Sequence, residues 1–310
     1  MYTIGIDIGG TIIKIGLVHD GRVVQKQSIE AFAHQGLLPR LKDMESTIWN
    51  LLSDEGIDVS QVSGIGMCVP GIVDSRQKKI LVINDKFNDV VNMDLADWAK
   101  SVFNLPLEID NDARCALISE WQYGAGRNCD NLVMITLGTG VGTSALVDGR
   151  VMRGSHYVAG ILGGHFILDR NGLMCNCGNR GCGEAQASTW NLDEIIKREG
   201  ATVADWYTAD TDFRLIFQKA AEGDIYALKV RNHCLDIWTE VIVNMIYAYD
   251  PEKVVMAGGI MKSADVIIPY IKNKIKTYGW APFDQIEIVC SSVTDDAALL
   301  SAEYFMKTLN

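Results

Sequence analysis

Long apolar runs are missing from this sequence. No stretch approaches the roughly 20 residues that a helix needs to cross a bilayer. The N-terminus also lacks a basic segment leading into an apolar core, because Asp7, Lys14 and Asp20 interrupt it, so no secretory leader is read there. Basic charge is short as well: 28 Lys and Arg stand against 39 Asp and Glu, a net charge of -11. An acidic surface repels a phosphate backbone or an anionic membrane, so neither nucleic acid nor a membrane is expected as a partner. The eight cysteines lack the even spacing of a disulfide framework, and in a reducing compartment they read as thiols or metal ligands. Linkers rich in proline or serine are absent too, so composition marks no domain boundary. The expectation is a cytoplasmic globular protein.

What is present is ample core material. At 310 residues, 48% hydrophobic and 22% charged, the chain has the ordinary make-up of about two folded domains. Two segments share one shape, residues 3–18 (TIGIDIGGTIIKIGLV) and 132–147 (LVMITLGTGVGTSALV). Each is an apolar β-rich run, a turn of glycine and threonine, and a second such run, which is a hairpin pattern. Around them strands are expected at 22–28, 64–69, 107–109 and 253–257, and helices at 41–52, 113–123, 231–249 and 295–309, the last opening on the acceptors Thr294, Asp295 and Asp296. Alternating strands and helices predict an α/β fold made by internal duplication. One lobe is expected to span 1–114 plus about 297–310 and the other 115–296, the latter carrying an insert near 154–187 too irregular for core. Trp190, Trp206 and Trp280 are read as core residues, and Cys68, Cys115, Cys129, Cys234 and Cys290 as small buried hydrophobes.

Four short stretches could carry chemistry. Asp7-Ile8-Gly9-Gly10-Thr11 lies between two strands, where glycines let the backbone approach a ligand and successive N–H groups can cradle an anion. A carboxylate at Asp7 beside a phosphate calls for a cation between them, which suggests a nucleotide with Mg²⁺. Gly138-Thr139-Gly140 repeats this turn in the second half, and Gly258-Gly259 follows another strand. At Asp110-Asn111-Asp112 a strand meets a helix, so one residue can cap the helix while Asp112 accepts a proton from a substrate hydroxyl and Asn111 holds a neighbouring hydroxyl. Finally, His165 with Cys175, Cys177 and Cys182 supplies one imidazole and three thiolates, the set that closes a tetrahedral structural zinc site. Such a zinc would shape a loop and leave no position for substrate. Reduced thiols or a redox switch are the alternatives for the same loop.

With these features in this order, including C-x-C-G-x-x-G-C at 175–182, the chain resembles the ROK family of sugar kinases and sugar-responsive repressors. The resemblance implies an actin-like, ribonuclease H-like fold of two lobes around a cleft. It places ATP against Asp7, Gly9, Gly10, Thr11, Lys14, Gly138, Thr139, Gly140, Gly258 and Gly259, and makes Asp112 the catalytic base. Gly71, Asn111, Asp112, His165 and Glu184 match sugar-side positions, with His165 shared with zinc. In the family the zinc histidine closes an E-x-G-H motif; here it reads Leu162-Gly163-Gly164-His165, and leucine cannot accept a hydroxyl hydrogen bond. Losing a charged acceptor costs about 1.5–3 kcal/mol, roughly one to two decades of affinity. Family repressors carry a helix-turn-helix ahead of the first turn, for which ten residues leave no room. The resemblance therefore implies a Mg-ATP-dependent kinase for a hexose or hexose derivative, active as a homodimer or homotetramer. The other reading is a sugar-binding sensor with little catalysis.

Overall fold

A computed structural model describes residues 1–83, 86–278, 280, 283–293 and 296–308, and divides them between two compact units. Thr294, Asp295 and Leu309, expected at the ends of the last helix, lie outside the described residues. The first unit comprises Met1–Arg127, Arg153–Val158 and Ser292–Asn310; the second comprises Asn128–Met152 and Ala159–Ser291.

In the first unit the chain forms β1 (Tyr2–Ile8), β2 (Ile12–His19), β3 (Arg22–Glu30), α1 (Leu41–Asp54), β4 (Val62–Val69), β5 (Ile72–Asp74), β6 (Lys79–Val82), α2 (Leu95–Phe103), β7 (Leu107–Asn111) and α3 (Asp112–Tyr123). The second unit begins with β8 (Leu132–Leu137), β9 (Val141–Val147) and β10 (Arg150–Val151). It continues with α4 (Gly183–Ala187), α5 (Leu192–Arg198), α6 (Phe213–Ala221), α7 (Ile225–Tyr249), β11 (Lys253–Ala257), α8 (Ala264–Lys274) and β12 (Glu287–Cys290). The chain then returns to the first unit as α9 (Ala297–Thr308).

The duplication read from two hairpins extends to whole sheets. Strand order is β3-β2-β1-β4-β7 in one unit and β10-β9-β8-β11-β12 in the other. In each, three antiparallel strands lead into two parallel ones. Side chains such as Ile4, Ile6, Ile15 and Ile65 fill the first core, and Ile135, Trp238, Val254 and Met256 the second. Helix α9 lies directly on β1 and β4 because Gly5 and Gly66 leave it room: a Cβ on Gly66 would stand 2.4 Å from Ala302 Cα.

Three expectations need correction. Helix α7 starts at Ile225, six residues before the apolar periodicity suggests, because the Asp224 carboxylate caps it by accepting from the N–H groups of Tyr226 and Ala227. The insert is not wholly outside the core, since residues 181–188 are buried throughout. Small residues make this possible: Trp238 Nε1 donates to Ala187 O at 2.7 Å and Asn191 Nδ2 to Ala185 O at 2.6 Å. Of the three tryptophans read as core, Trp206 packs on the second core, Trp190 is 37% exposed, and Trp280 is 92% exposed. Of the five scattered cysteines four are buried, with Cys290 half-buried.

Candidate active site

Register brings the polar residues of the first unit to one edge of its sheet. Asp7 of β1 pairs with Cys68 of β4, which pairs with Asp110 of β7. The segments 7–11, 69–71 and 110–112 therefore leave three parallel strands at their carboxyl ends, where open α/β sheets bind ligands. In the first turn Gly9 N–H is engaged by Asp7 O and Ile12 O, while the N–H groups of Gly10 and Thr11 meet no acceptor among the described residues. Lys14 directs its ammonium group back toward Asp7, with Nζ 4.0 Å from Oδ2. Burial raises the Asp7 carboxyl above the usual carboxylate range, and Lys14 partly opposes the shift.

Asn111 is the N-cap of α3, its Oδ1 accepting from the N–H groups of Ala113 (3.0 Å) and Arg114 (3.3 Å). Its Nδ2 donates to Gly71 O at 2.8 Å and to Asp112 Oδ1 at 2.9 Å. With both Nδ2 donors and Oδ1 engaged, Asn111 is held firmly beside Asp112 in this conformation. Gly71 can serve as the anchor because its φ of +99° brings it against Val82 O, where a Cβ would stand at 2.2 Å. Asp112 is exposed as a residue, yet protein around its carboxyl removes enough water to raise its pKa to about 6. The Ala113 N–H, 2.8 Å from Oδ1, lowers it, the Asp7 charge raises it, and Lys86 lowers it.

Beneath this pair lies a buried ion network that the sequence reading did not single out. Asp110 Oδ1 accepts from Arg114 Nη1 at 3.1 Å and from Asn111 N at 2.8 Å, and Oδ2 accepts from Arg153 Nε at 3.1 Å and Nη2 at 2.6 Å. Arg114 Nη2 donates to Tyr157 O at 2.7 Å. The i, i+4 spacing of Asp110 and Arg114 is its only trace in the sequence. Substituting Arg114→Leu should lower stability by about 3–5 kcal/mol, because the buried Asp110 carboxylate loses one of its two guanidinium partners. Urea unfolding measures this, and a loss below about 1 kcal/mol would show that Arg153 alone suffices.

In the second unit Gly138, Thr139 and Gly140 form the turn between β8 and β9. It is held by Thr189 N–H donating to Gly138 O and Trp190 N–H to Thr139 O, each at 3.1 Å. Gly258 lies beside it, where a Cβ would stand 2.1 Å from Leu137 O, and Gly259 follows at the exposed start of a short 3₁₀ segment. Glu184 is committed to this turn: Oε2 accepts from Val141 N at 2.9 Å and Oε1 from Trp190 Nε1 at 3.2 Å.

His165, Cys175, Cys177 and Cys182 each bring one ligand atom to within 4.8 Å of the others. Cys177 Sγ and Cys182 Sγ are 3.6 Å apart, and Cys175 Sγ lies 3.5 Å from His165 Nδ1. Tetrahedral zinc with ordinary bond lengths would require about 3.8 Å between two sulfurs and about 3.6 Å between sulfur and nitrogen. Two of the donor pairs match those spacings, and the set could hold such an ion. Without a cation, burial pushes the Cys175 and Cys182 thiols up.

The model of the ROK family matches residues 3–308. This chain belongs to the ROK family. Among curated relatives, the glucokinase of Thermotoga maritima is 29% identical over 98% of this chain and 96% of its own length. The N-acetylmannosamine kinase of Haemophilus influenzae is 26% identical over 99% and 96%. A ROK family glucokinase from Streptomyces griseus, solved in complex with glucose and AMPPNP, superposes with a TM-score of 0.80 at 24% identity, covering 99% of this chain and 100% of that one. This ROK protein thus has the actin-like α/β fold, two lobes from an internal duplication.

Against that family background, Leu162 is 38% exposed just before the short 3₁₀ turn that delivers His165. The turn has no room for larger residues, since a Cβ on Gly164 would stand 2.0 Å from Val141 O. No helix among the described residues of this ROK protein is long and apolar enough to cross a membrane.

Proposed function

We propose that this ROK protein is an ATP-dependent sugar kinase that transfers the γ-phosphoryl group to a hydroxyl of a hexose or hexose derivative. One observation carries the reading: a carboxylate with its pKa raised to about 6, Asp112, leaves the same sheet edge as a turn whose Gly10 and Thr11 N–H groups meet no acceptor among the described residues. A base of that pKa is ionised at neutral pH yet accepts a proton readily, and the N–H pair suits a phosphate.

In this reading Asp112 takes the hydroxyl proton, Asn111 and Gly71 fix its orientation, and Gly9, Gly10 and Thr11 receive phosphate oxygens. Gly138, Thr139, Gly140, Gly258 and Gly259 are the second unit's contribution to ATP. Lys14 acts through Asp7, whose carboxylate suits a water-mediated Mg²⁺; that ion would neutralise the phosphates when bound. His165 and Glu184 are the second unit's sugar-side groups, Glu184 also holding the Gly140 turn. Zinc on His165, Cys175, Cys177 and Cys182 is structural and anchors the start of α4, from which Glu184 projects. The protein works in the cytoplasm as a homodimer or homotetramer.

A coupled ATP-consumption assay against glucose, fructose, mannose, allose, N-acetylglucosamine and N-acetylmannosamine tests the assignment. Turnover on at least one sugar is expected. Leu162→Glu should tighten binding of the accepted sugar about 10- to 100-fold by restoring a charged acceptor. The exposed Leu162 favours a second reading, a sugar sensor with little catalysis. Silence of the wild type with activity only in Leu162→Glu would establish that reading instead.

A further inference from the structure

We propose that Lys86 is a further catalytic residue, a cation that contacts the transferring phosphoryl group together with the N–H groups of Gly10 and Thr11. The inference rests on the kinase reading and deepens it. Lys86 Nζ lies 2.7 Å from the point where a Cβ on Gly10 would stand, and its Cε and Cδ lie at 2.9 and 3.1 Å. The end of the side chain therefore lies over the turn, in the space that a side chain at Gly10 would occupy. Its ammonium group makes no hydrogen bond or ion pair with any described residue. Three ammonium donors thus stand over Gly10, whose N–H, like that of Thr11, meets no acceptor among the described residues. An ammonium group with no carboxylate in ion-pair contact among the described residues suits an anion with several oxygens, and a lysine at such a place acts as a point charge on phosphate.

The neighbourhood explains why a cation is needed. Asp7 and Asp112 both leave this edge of the sheet, and both repel an incoming polyphosphate. Lys14, the lysine that the sequence suggested, is turned toward Asp7. Lys86 is free of that pairing, and its charge also reaches Asp112, where it favours the ionised form. In the transfer, the sugar hydroxyl oxygen bonds to the γ-phosphorus and its proton passes to Asp112. The bond from that phosphorus to the β–γ bridging oxygen breaks, and its electron pair leaves with ADP. Lys86 opposes the negative charge on the phosphoryl oxygens through this step, a task for which removal of one donor costs roughly 10²–10³ in rate.

The test compares Lys86→Met and Lys86→Arg with the wild type, using the full chain, ADP and a non-hydrolysable ATP analogue. Lys86→Met should bind ADP as the wild type does and the analogue about tenfold more weakly, with turnover down about 10²-fold. Lys86→Arg should recover part of both losses. Loss of fold would weaken both nucleotides alike, so the ratio of the two affinities separates contact from damage. An unchanged analogue-to-ADP ratio in Lys86→Met overturns the role of Lys86, whether or not any sugar is turned over. A wild type that phosphorylates no sugar, with the ratio still altered, overturns the kinase reading and leaves Lys86 as a γ-phosphate contact.

Discussion

Replacing Asp112 with Asn is expected to lower sugar phosphorylation by a factor on the order of 10²–10⁴ while leaving fold and ATP affinity nearly intact. The size follows from the geometry around a single oxygen. Asp112 Oδ1 already accepts from the Ala113 N–H and from Asn111 Nδ2, so Oδ2 is the oxygen left to take a proton. An amide in the same place keeps the shape but cannot accept that proton. The wild type carries a matching pH signature. Because desolvation raises the pKa of Asp112 to about 6, kcat/KM should be flat above that pH and fall about tenfold per unit below it, as the base becomes protonated. An ordinary carboxylate would hold activity down to about pH 4. Steady-state rates from pH 5 to 8 in both proteins check the two claims together. Normal turnover in Asp112→Asn would remove Asp112 from the chemistry.

Stripping the zinc proposed for the Cys₃His set is expected to have the second largest effect. Cys182 is the residue from which α4 begins, and α4 carries Glu184, whose carboxylate holds Val141 N–H and Trp190 Nε1. Loss of zinc therefore reaches the turn at residues 138–140 through one helical turn and one side chain. An ion present at about 1,000 times its Kd stabilises the folded state by about 4 kcal/mol. For a chain of this size that is about 6 °C in Tm. Cys182→Ala, or stripping with a strong chelator, should lower Tm by about that amount and weaken ATP binding. Elemental analysis should find one zinc per wild-type chain and none in the variant. A reversible disulfide without stoichiometric metal would instead make the loop a redox switch.

Much of this was legible in the residues themselves. The paired hairpins announced the duplication, and each proved to be the antiparallel part of a five-stranded sheet. The close spacing of three cysteines after one histidine named a ligand set that folding brings within 4.8 Å. Asp110-Asn111-Asp112 raised both capping and catalysis, and the structure divides the three residues among burial, capping and exposure. Less was legible where polar side chains go inward. Residues 181–187 belong to the insert read as too irregular for core, yet internal hydrogen bonds let the segment 181–188 pack.

By itself, then, the sequence determined what local chemistry can determine: periodicity, turn residues, ligand types and the family they compose. Each depends on neighbours a few positions apart, where spacing and side-chain type suffice. Only the tertiary structure decided which groups far apart in the chain meet. It turned Lys14 toward Asp7 and laid Lys86 over Gly10, 76 positions away, in room that a missing side chain leaves. It set Arg153 on Asp110 and Glu184 on Val141. Those pairings follow from strand register and close packing, which no short stretch of sequence encodes.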